Sequence, residues 1–286
     1  MKGLDQDFLH EHVRVSLLED MSGEDITTQL TVDEKSSARA VAVSREEGVI
    51  AGRQLVEAVY SVLAELPGNP GEGSVEINWF VDDGDRVEGE NKIFAAEGNT
   101  ALLLSGERVA LNYMQQLSGV ATKTFAMVKV AREYGVDIYD TRKTIPHHRV
   151  LQKYAVSCGG GNNHRLTLAD AVMIKDNHKS VAGGLREALE RVGGQRPLIV
   201  EIHDPRELEI ITDFDIDVLM LDNMVPATVE NIVADLPAGQ TVEISGGITL
   251  DNLRDYCKTD VDRVSVGSLT HSFQSLDISF GLVDHE

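Results

Sequence analysis

From residue 136 onward the chain repeats one rhythm: a short apolar segment, a loop carrying polar residues, then a stretch with helical periodicity. The apolar segments are 136–139, 171–174, 198–202, 218–221, 242–244 and 261–266, and they are rich in Val and Ile. Helical patterns at 185–192, 205–211, 226–236 and 250–257 separate most of them. A helix between two strands carries the chain back to the starting edge, so repeated units of this kind predict a parallel sheet covered by helices. The placement of polar residues narrows the choice further. Arg142 and Lys143, Lys175, Glu201, Asp222, Ser245-Gly246-Gly247 and Gly267-Ser268 each lie at or just past the C-terminal end of an apolar segment. In a barrel those ends converge on one face. An open sheet instead concentrates its site at one switch point. All six units contribute here, so the pattern predicts an α/β barrel.

The first part of the chain has a different rhythm. Residues 4–20 read as a helix, which Asp25-Ile26-Thr27-Thr28 interrupts with side chains that bond their own backbone. A strand at 38–43, a helix at 55–66 and a Gly- and Pro-rich loop at 67–73 follow. Segments 75–80 and 92–95 read as antiparallel strands with a turn at Asp83-Gly84-Asp85 between them. Residues 102–131 are strongly helical, with an expected interruption near Ser118-Gly119. The organisation expected is an N-terminal α/β sandwich and dimerisation domain at 1–112, a barrel at 113–270, and a C-terminal segment at 271–286 that packs back on the N-terminal domain.

Charge sharpens the functional reading. The chain has 286 residues and a formal net charge of −21, from 47 acidic and 26 basic residues. Such a balance lacks the positive footprint needed to bind a nucleic-acid backbone. Against it, Arg142, Lys143, His164, Arg165 and Lys175 cluster around a Gly159-Gly160-Gly161 turn. Cationic donors gathered in an acidic protein point to a small, multiply charged anion. No apolar run approaches the roughly 20 residues a membrane helix needs, and Cys158 and Cys257 are too few for a disulfide framework. Both features fit a cytoplasmic protein. His147-His148, His178 and His203 form no recognisable zinc signature, and Cys158 has no evident His partner for nucleophilic chemistry.

Across nearly its whole length the sequence resembles the quinolinate phosphoribosyltransferase family. The resemblance rests on ordered motifs: Asp25-Ile26-Thr27-Thr28, Gly106-Glu107-Arg108-Val109-Ala110-Leu111-Asn112, and Leu117-Ser118-Gly119-Val120-Ala121-Thr122. Asp140-Thr141-Arg142-Lys143-Thr144, Gly159 to Arg165 and Ile174-Lys175-Asp176-Asn177-His178 follow. The last are Leu221-Asp222-Asn223, Ser245-Gly246-Gly247-Ile248 and Ser265-Val266-Gly267-Ser268-Leu269-Thr270-His271. It implies an N-terminal open α/β sandwich, a C-terminal incomplete α/β barrel and a head-to-tail homodimer. The implied reaction joins quinolinate to 5-phosphoribosyl 1-diphosphate with magnesium, giving nicotinate mononucleotide, diphosphate and carbon dioxide.

The residue chemistry suits that reaction. Arg142, Arg165 and Lys175 are candidates to pair the two carboxylates of quinolinate, with His164 as orienter or partial cation. By resemblance, Arg108 joins them from the neighbouring subunit, and Lys143 serves the phosphoribosyl diphosphate. Glu201 and Asp222 are candidates to hold Mg2+ and to favour positive charge developing at the ribose C1. Ser245, Gly246, Gly247, Gly267 and Ser268 offer backbone N–H groups to phosphate. Two other readings are a related phosphoribosyltransferase for nicotinate or another aromatic acid, and a non-catalytic phosphate-ligand binding protein. The sequence departs from the family once. Where Thr-Pro-Gly is usual after Arg142-Lys143-Thr144, it has Ile145-Pro146-His147-His148, and Arg149 remains a candidate anion contact.

Overall fold

The computed structural model describes residues 4–21 and 25–283; the last three residues of the C-terminal segment lie outside that range. The chain groups into two compact units. The first comprises residues 1–123, 157–160 and 273–286, and the second residues 124–156 and 161–272.

The first unit is built on a four-stranded antiparallel sheet ordered Ile278–Val283, Ser37–Ser44, Lys92–Asn99, Val75–Trp79. The last strand of the chain therefore lies beside the first long one, with Ala42 opposite Phe280. Helices Gln6–Asp20 and Arg53–Glu65 pack together, and the first buries Leu9, Val13 and Leu17, four residues apart on one stripe. Each such side chain removed from water contributes about 1.5–3 kcal/mol. Asp25 caps a new helix, Ile26–Thr31, by accepting from Thr28 N and Thr28 Oγ1.

Helix Thr100–Ala131 runs through Ser118-Gly119 without the expected interruption. Those two residues serve packing instead. Ser118 Oγ accepts from Ala51 N at 3.0 Å. A Cβ on Gly119 would meet Gln274 O at 2.1 Å, so the glycine marks a close backbone approach.

The second unit holds six parallel strands ordered Asp137–Tyr139, Arg263–Ser265, Thr241–Ser245, Val218–Asp222, Leu198–Ile202, Val172–Ile174. The first strand in sequence pairs with the last, as in a ring. Asp137–Tyr139 and Val172–Ile174 occupy the two edges, and that missing pairing leaves the barrel open. Asn162 partly covers one edge by bridging Tyr139, with Asn162 N donating to Ile138 O at 2.8 Å. Two further helices, Arg149–Cys158 and Asp176–Ala182, follow the first two strands.

Met173, Ile199, Val218 and Met220 pack into one buried cluster. Side chains alternate along a strand, so Glu201 and Asp222, two residues beyond Ile199 and Met220, stand on the same face nearer the C-terminal ends. The apolar cluster is thus the floor over which the polar residues gather.

Candidate active site

Arg142, Arg165 and Lys175 line one cavity of about 760 Å³, together with Ala171, Met173 and Asn177. Arg165 is held by donation from Nη1 to Ala171 O at 3.1 Å and by a contact of Nη2 with Met173 Sδ at 2.9 Å. The Nε atoms of Arg142 and Arg165 are buried and have no hydrogen-bond partner. Burial, with the Arg142 charge adding to it, lowers the pKa of Arg165 from its ordinary value. Two cations lining one cavity are stabilised by an anion that brings several oxygens.

Beside the cations stands an acidic group. Lys175 Nζ contacts Glu201 Oε2, a residue whose side chain is 7% exposed. His203, just beyond the strand Leu198–Ile202, lies among three carboxylates. Its Nε2 is 2.7 Å from Asp176 Oδ2 and 3.4 Å from Glu201 Oε1, and its Nδ1 is 3.4 Å from Asp222 Oδ2. Ligand atoms of Asp176, Glu201 and His203 lie within 4.8 Å of one another, so the group could hold a divalent metal ion. Asp222 Oδ2 also accepts from Asn223 Nδ2 at 2.6 Å.

His164 does not line that cavity. Its side chain is 8% exposed, with Nε2 3.4 Å from the buried Glu243 Oε1. Its Nδ1 accepts from Arg165 N at 2.7 Å, so a neutral ring carries its proton on Nε2. Asp140 Oδ1 accepts from His164 N at 2.8 Å and contacts Lys153 Nζ, which donates to His164 O at 2.9 Å. Burial outweighs attraction in this pair: Asp140 is pushed up to about 6, and the Lys153 pKa is lowered. Asp140 thus pairs with Lys153.

The glycine turns lie at the ends of the late strands. Gly246 has φ +93°, and a Cβ there would meet Asn223 Oδ1 at 2.3 Å, so the turn after Ser245 is locked to the one after Asp222. A Cβ on Gly267 would stand 3.0 Å from Lys143 Cδ and 3.3 Å from His271 Nε2, which puts Lys143 against the loop of Gly267 and Ser268. The helix after Gly267 is only Ser268–His271, and the helix after Gly247 is capped by Thr249. Arg149, raised above as an anion contact, donates to protein acceptors: Thr144 Oγ1 at 3.1 Å and Leu166 O at 3.2 Å. Arg108 belongs to the first unit, where its exposed side chain lies 3.7 Å from Glu107.

Sequence reasoning passed over Asp176, His203, Asp140, Lys153 and Glu243. Glu243 carried a usable signal, since it interrupts an apolar strand as Glu201 does. His203 lies two residues beyond Glu201 and so shares its face, but only the fold brings Asp176 and Asp222 to it.

A basic cavity, a carboxylate cluster and glycine turns on late strand ends of an incomplete α/β barrel are the parts of an enzyme site for anionic substrates. Family profiles for the N-terminal and C-terminal domains of quinolinate phosphoribosyl transferase match residues 25–118 and 120–281. The chain is 40% identical over 266 residues to the "Probable nicotinate-nucleotide pyrophosphorylase", carboxylating, of Bacillus subtilis, covering 92% of this chain and 89% of that one. It is 38% identical over 283 residues to the carboxylating nicotinate-nucleotide pyrophosphorylase of Mycobacterium leprae, covering 96% and 98%. The structure of the nicotinate-nucleotide pyrophosphorylase from Francisella tularensis superposes with a TM-score of 0.90 at 34% identity, covering 98% of each chain. The chain belongs to the quinolinate phosphoribosyltransferase family, the carboxylating nicotinate-nucleotide pyrophosphorylases of NAD biosynthesis.

Proposed function

We propose that the cavity of Arg142, Arg165 and Lys175 binds the two adjacent carboxylates of quinolinate, and that Lys143 and the glycine turns take 5-phosphoribosyl 1-diphosphate. The observation that carries this reading is the convergence of Arg142, Arg165 and Lys175 on one cavity, with the pKa of Arg165 lowered by burial and by the Arg142 charge. A monocarboxylate would leave part of that donor set unmet, at a cost of about 1–3 kcal/mol. His164 acts as an orienter: it sets the backbone of Arg165 and does not itself meet the ligand. Ser245, Gly246, Gly247, Gly267 and Ser268 receive the phosphate end, with Lys143 lying along Gly267.

The carboxylate cluster fits magnesium. Asp176 and Glu201 offer hard oxygen donors of the kind Mg2+ takes, whereas the His203 imidazole is an unusual ligand for it; Asp222 stands beside the group, 3.4 Å from His203 Nδ1. Magnesium, when bound, neutralises the diphosphate. Glu201 and Asp222 also favour the positive charge that develops at the ribose C1 as diphosphate leaves. The unprotonated pyridine nitrogen forms its bond to C1 while the C1–oxygen bond to diphosphate breaks. When the adjacent carboxylate then departs as carbon dioxide, its bonding electron pair stays on the ring carbon, stabilised by the positive nitrogen beside it, until that carbon takes up a proton. No general base is needed for the attack.

The active site is composite in this reading. Arg108, exposed on helix Thr100–Ala131 and within the Gly106 to Asn112 motif, reaches the site of a partner in a head-to-tail homodimer. The protein works in the cytoplasm, without nucleic-acid or membrane partners. Among the described residues, no helix is long and apolar enough to cross a membrane. Calorimetric titration with quinolinate and with nicotinate tests the assignment of the cavity. Quinolinate is expected to bind at least about tenfold more tightly, the effect of one charge-assisted contact; equal affinities would refute it.

A further inference from the structure

Helix Arg149–Cys158 touches neither half of the site with its own side chains in the reading above, yet one of its faces grips the loops of both. Arg149, Gln152 and Lys153 are spaced i, i+3 and i+4, and so share that face. Arg149 holds Thr144 and Leu166, and Lys153 holds Asp140 and His164. Gln152 is fully buried and sits between them. Its Oε1 accepts from Ile145 N at 3.0 Å, and its Nε2 donates to Thr270 O at 2.8 Å. Thr270, also fully buried, donates through Oγ1 to Lys143 O at 2.8 Å.

A buried amide must have its donor and acceptor met, but it can meet them anywhere. Gln152 meets them on two loops far apart in sequence, so its length sets the distance between those loops. One carries Lys143 and the other Gly267 and Ser268, the two groups assigned above to the phosphoribosyl diphosphate. They touch where Lys143 Cδ passes Gly267. Lys153, one residue on, makes the equivalent link for His164 and Arg165 on the quinolinate side.

We propose that Gln152 is a positioning residue for the phosphoribosyl diphosphate half of the site and Lys153 one for the quinolinate half, so that a single helix face keeps the two halves in register. This rests on the functional reading above. In it, loss of the Gln152 bonds loosens Lys143 relative to the glycine loop and leaves the dicarboxylate cavity alone.

The test is a set of steady-state assays on the full-length enzyme and its Gln152→Met and Lys153→Gln variants, with quinolinate affinity measured separately by calorimetry without the second substrate. Gln152→Met keeps the volume and removes both hydrogen bonds. It is expected to raise KM for phosphoribosyl diphosphate about fivefold or more, with quinolinate affinity unchanged within twofold. Lys153→Gln is expected to show the reverse split. An unchanged KM for phosphoribosyl diphosphate in folded Gln152→Met, or an equal rise for both substrates, would overturn the assignment. If Gln152→Met does not fold, Gln152→Glu decides. Its acid form can still donate to Thr270 O, so the defect is expected to grow as pH rises, and a flat profile counts against the proposal. An inactive wild-type enzyme would refute the functional reading itself. An active one whose variants show no split refutes only the positioning role.

Discussion

The cationic and acidic halves of the site face each other but are built differently. On the cationic side, Arg142 and Arg165 keep buried donors without partners. On the acidic side, Glu201, Asp176 and Asp222 are already engaged, by Lys175 and by His203. The first half keeps donors without partners, while the carboxylates of the second already have theirs. Lys175 belongs to both, since its ammonium contacts Glu201 while it lines the cavity. The contrast teaches that charge at a site is a matter of which groups are spoken for, not only of which are present.

The largest expected effect comes from the acidic half. Glu201→Ala is expected to lower kcat by about two to three orders of magnitude, the scale of removing a charge-stabilising group from a transition state. Arg108→Ala homodimers should also be nearly inactive. Mixed dimers of the two variants can hold one site free of both lesions, so activity should return on subunit exchange. Well-folded heterodimers without recovered activity would break the composite arrangement.

Lys175 tests the shared position. Lys175→Ala should lower kcat/KM for quinolinate by about 1.5–3 kcal/mol of lost charge-assisted bonding, roughly ten- to a hundredfold. Unchanged quinolinate dependence would assign Lys175 to Glu201 alone.

A smaller effect is expected from the buried ion pair behind His164. Asp140 has its pKa raised from 3.8 to about 6, so its contribution to stability is fully present below pH 3.8 and is lost as pH rises through about 6. Denaturant titrations should show a loss of about 2–3 kcal/mol from this group between those limits. In Asp140→Asn that part of the slope should vanish. A wild-type curve identical to that of the variant would mean that Lys153 fully offsets the burial.

The smallest effect concerns the one departure from the family motif. His147 adopts φ +64°, a left-handed conformation that favours the glycine usual there. His147→Gly should therefore raise stability, by about 1 kcal/mol or less. A loss of stability on thermal unfolding would show that the imidazole makes a compensating contact.

The strand ends were legible in the sequence because the parallel strands alternate with helices in a regular order. The strand Leu198–Ile202 and the helices Leu185–Val192 and Leu250–Cys257 fall where the apolar pattern predicts them. Glu201 was legible as a carboxylate inside an apolar strand. Helix Arg149–Cys158 was not. Its pattern is amphipathic, but its polar residues Arg149, Gln152 and Lys153 point inward to loops, a role that the pattern does not reveal. Ser118-Gly119 misled in the opposite direction, because a glycine that admits a neighbouring backbone looks the same in sequence as one that ends a helix.

In the proposed reaction the donor-rich half takes a dicarboxylate, and decarboxylation follows bond formation at the ribose. The most direct measurement incubates the enzyme with magnesium and quinolinate labelled in the carboxylate next to the ring nitrogen, with and without 5-phosphoribosyl 1-diphosphate. Labelled carbon dioxide and nicotinate mononucleotide should appear together in equal amounts, and only when both substrates are present. Stoichiometric carbon dioxide from quinolinate and enzyme alone, or nucleotide formed without carbon dioxide, would contradict the account.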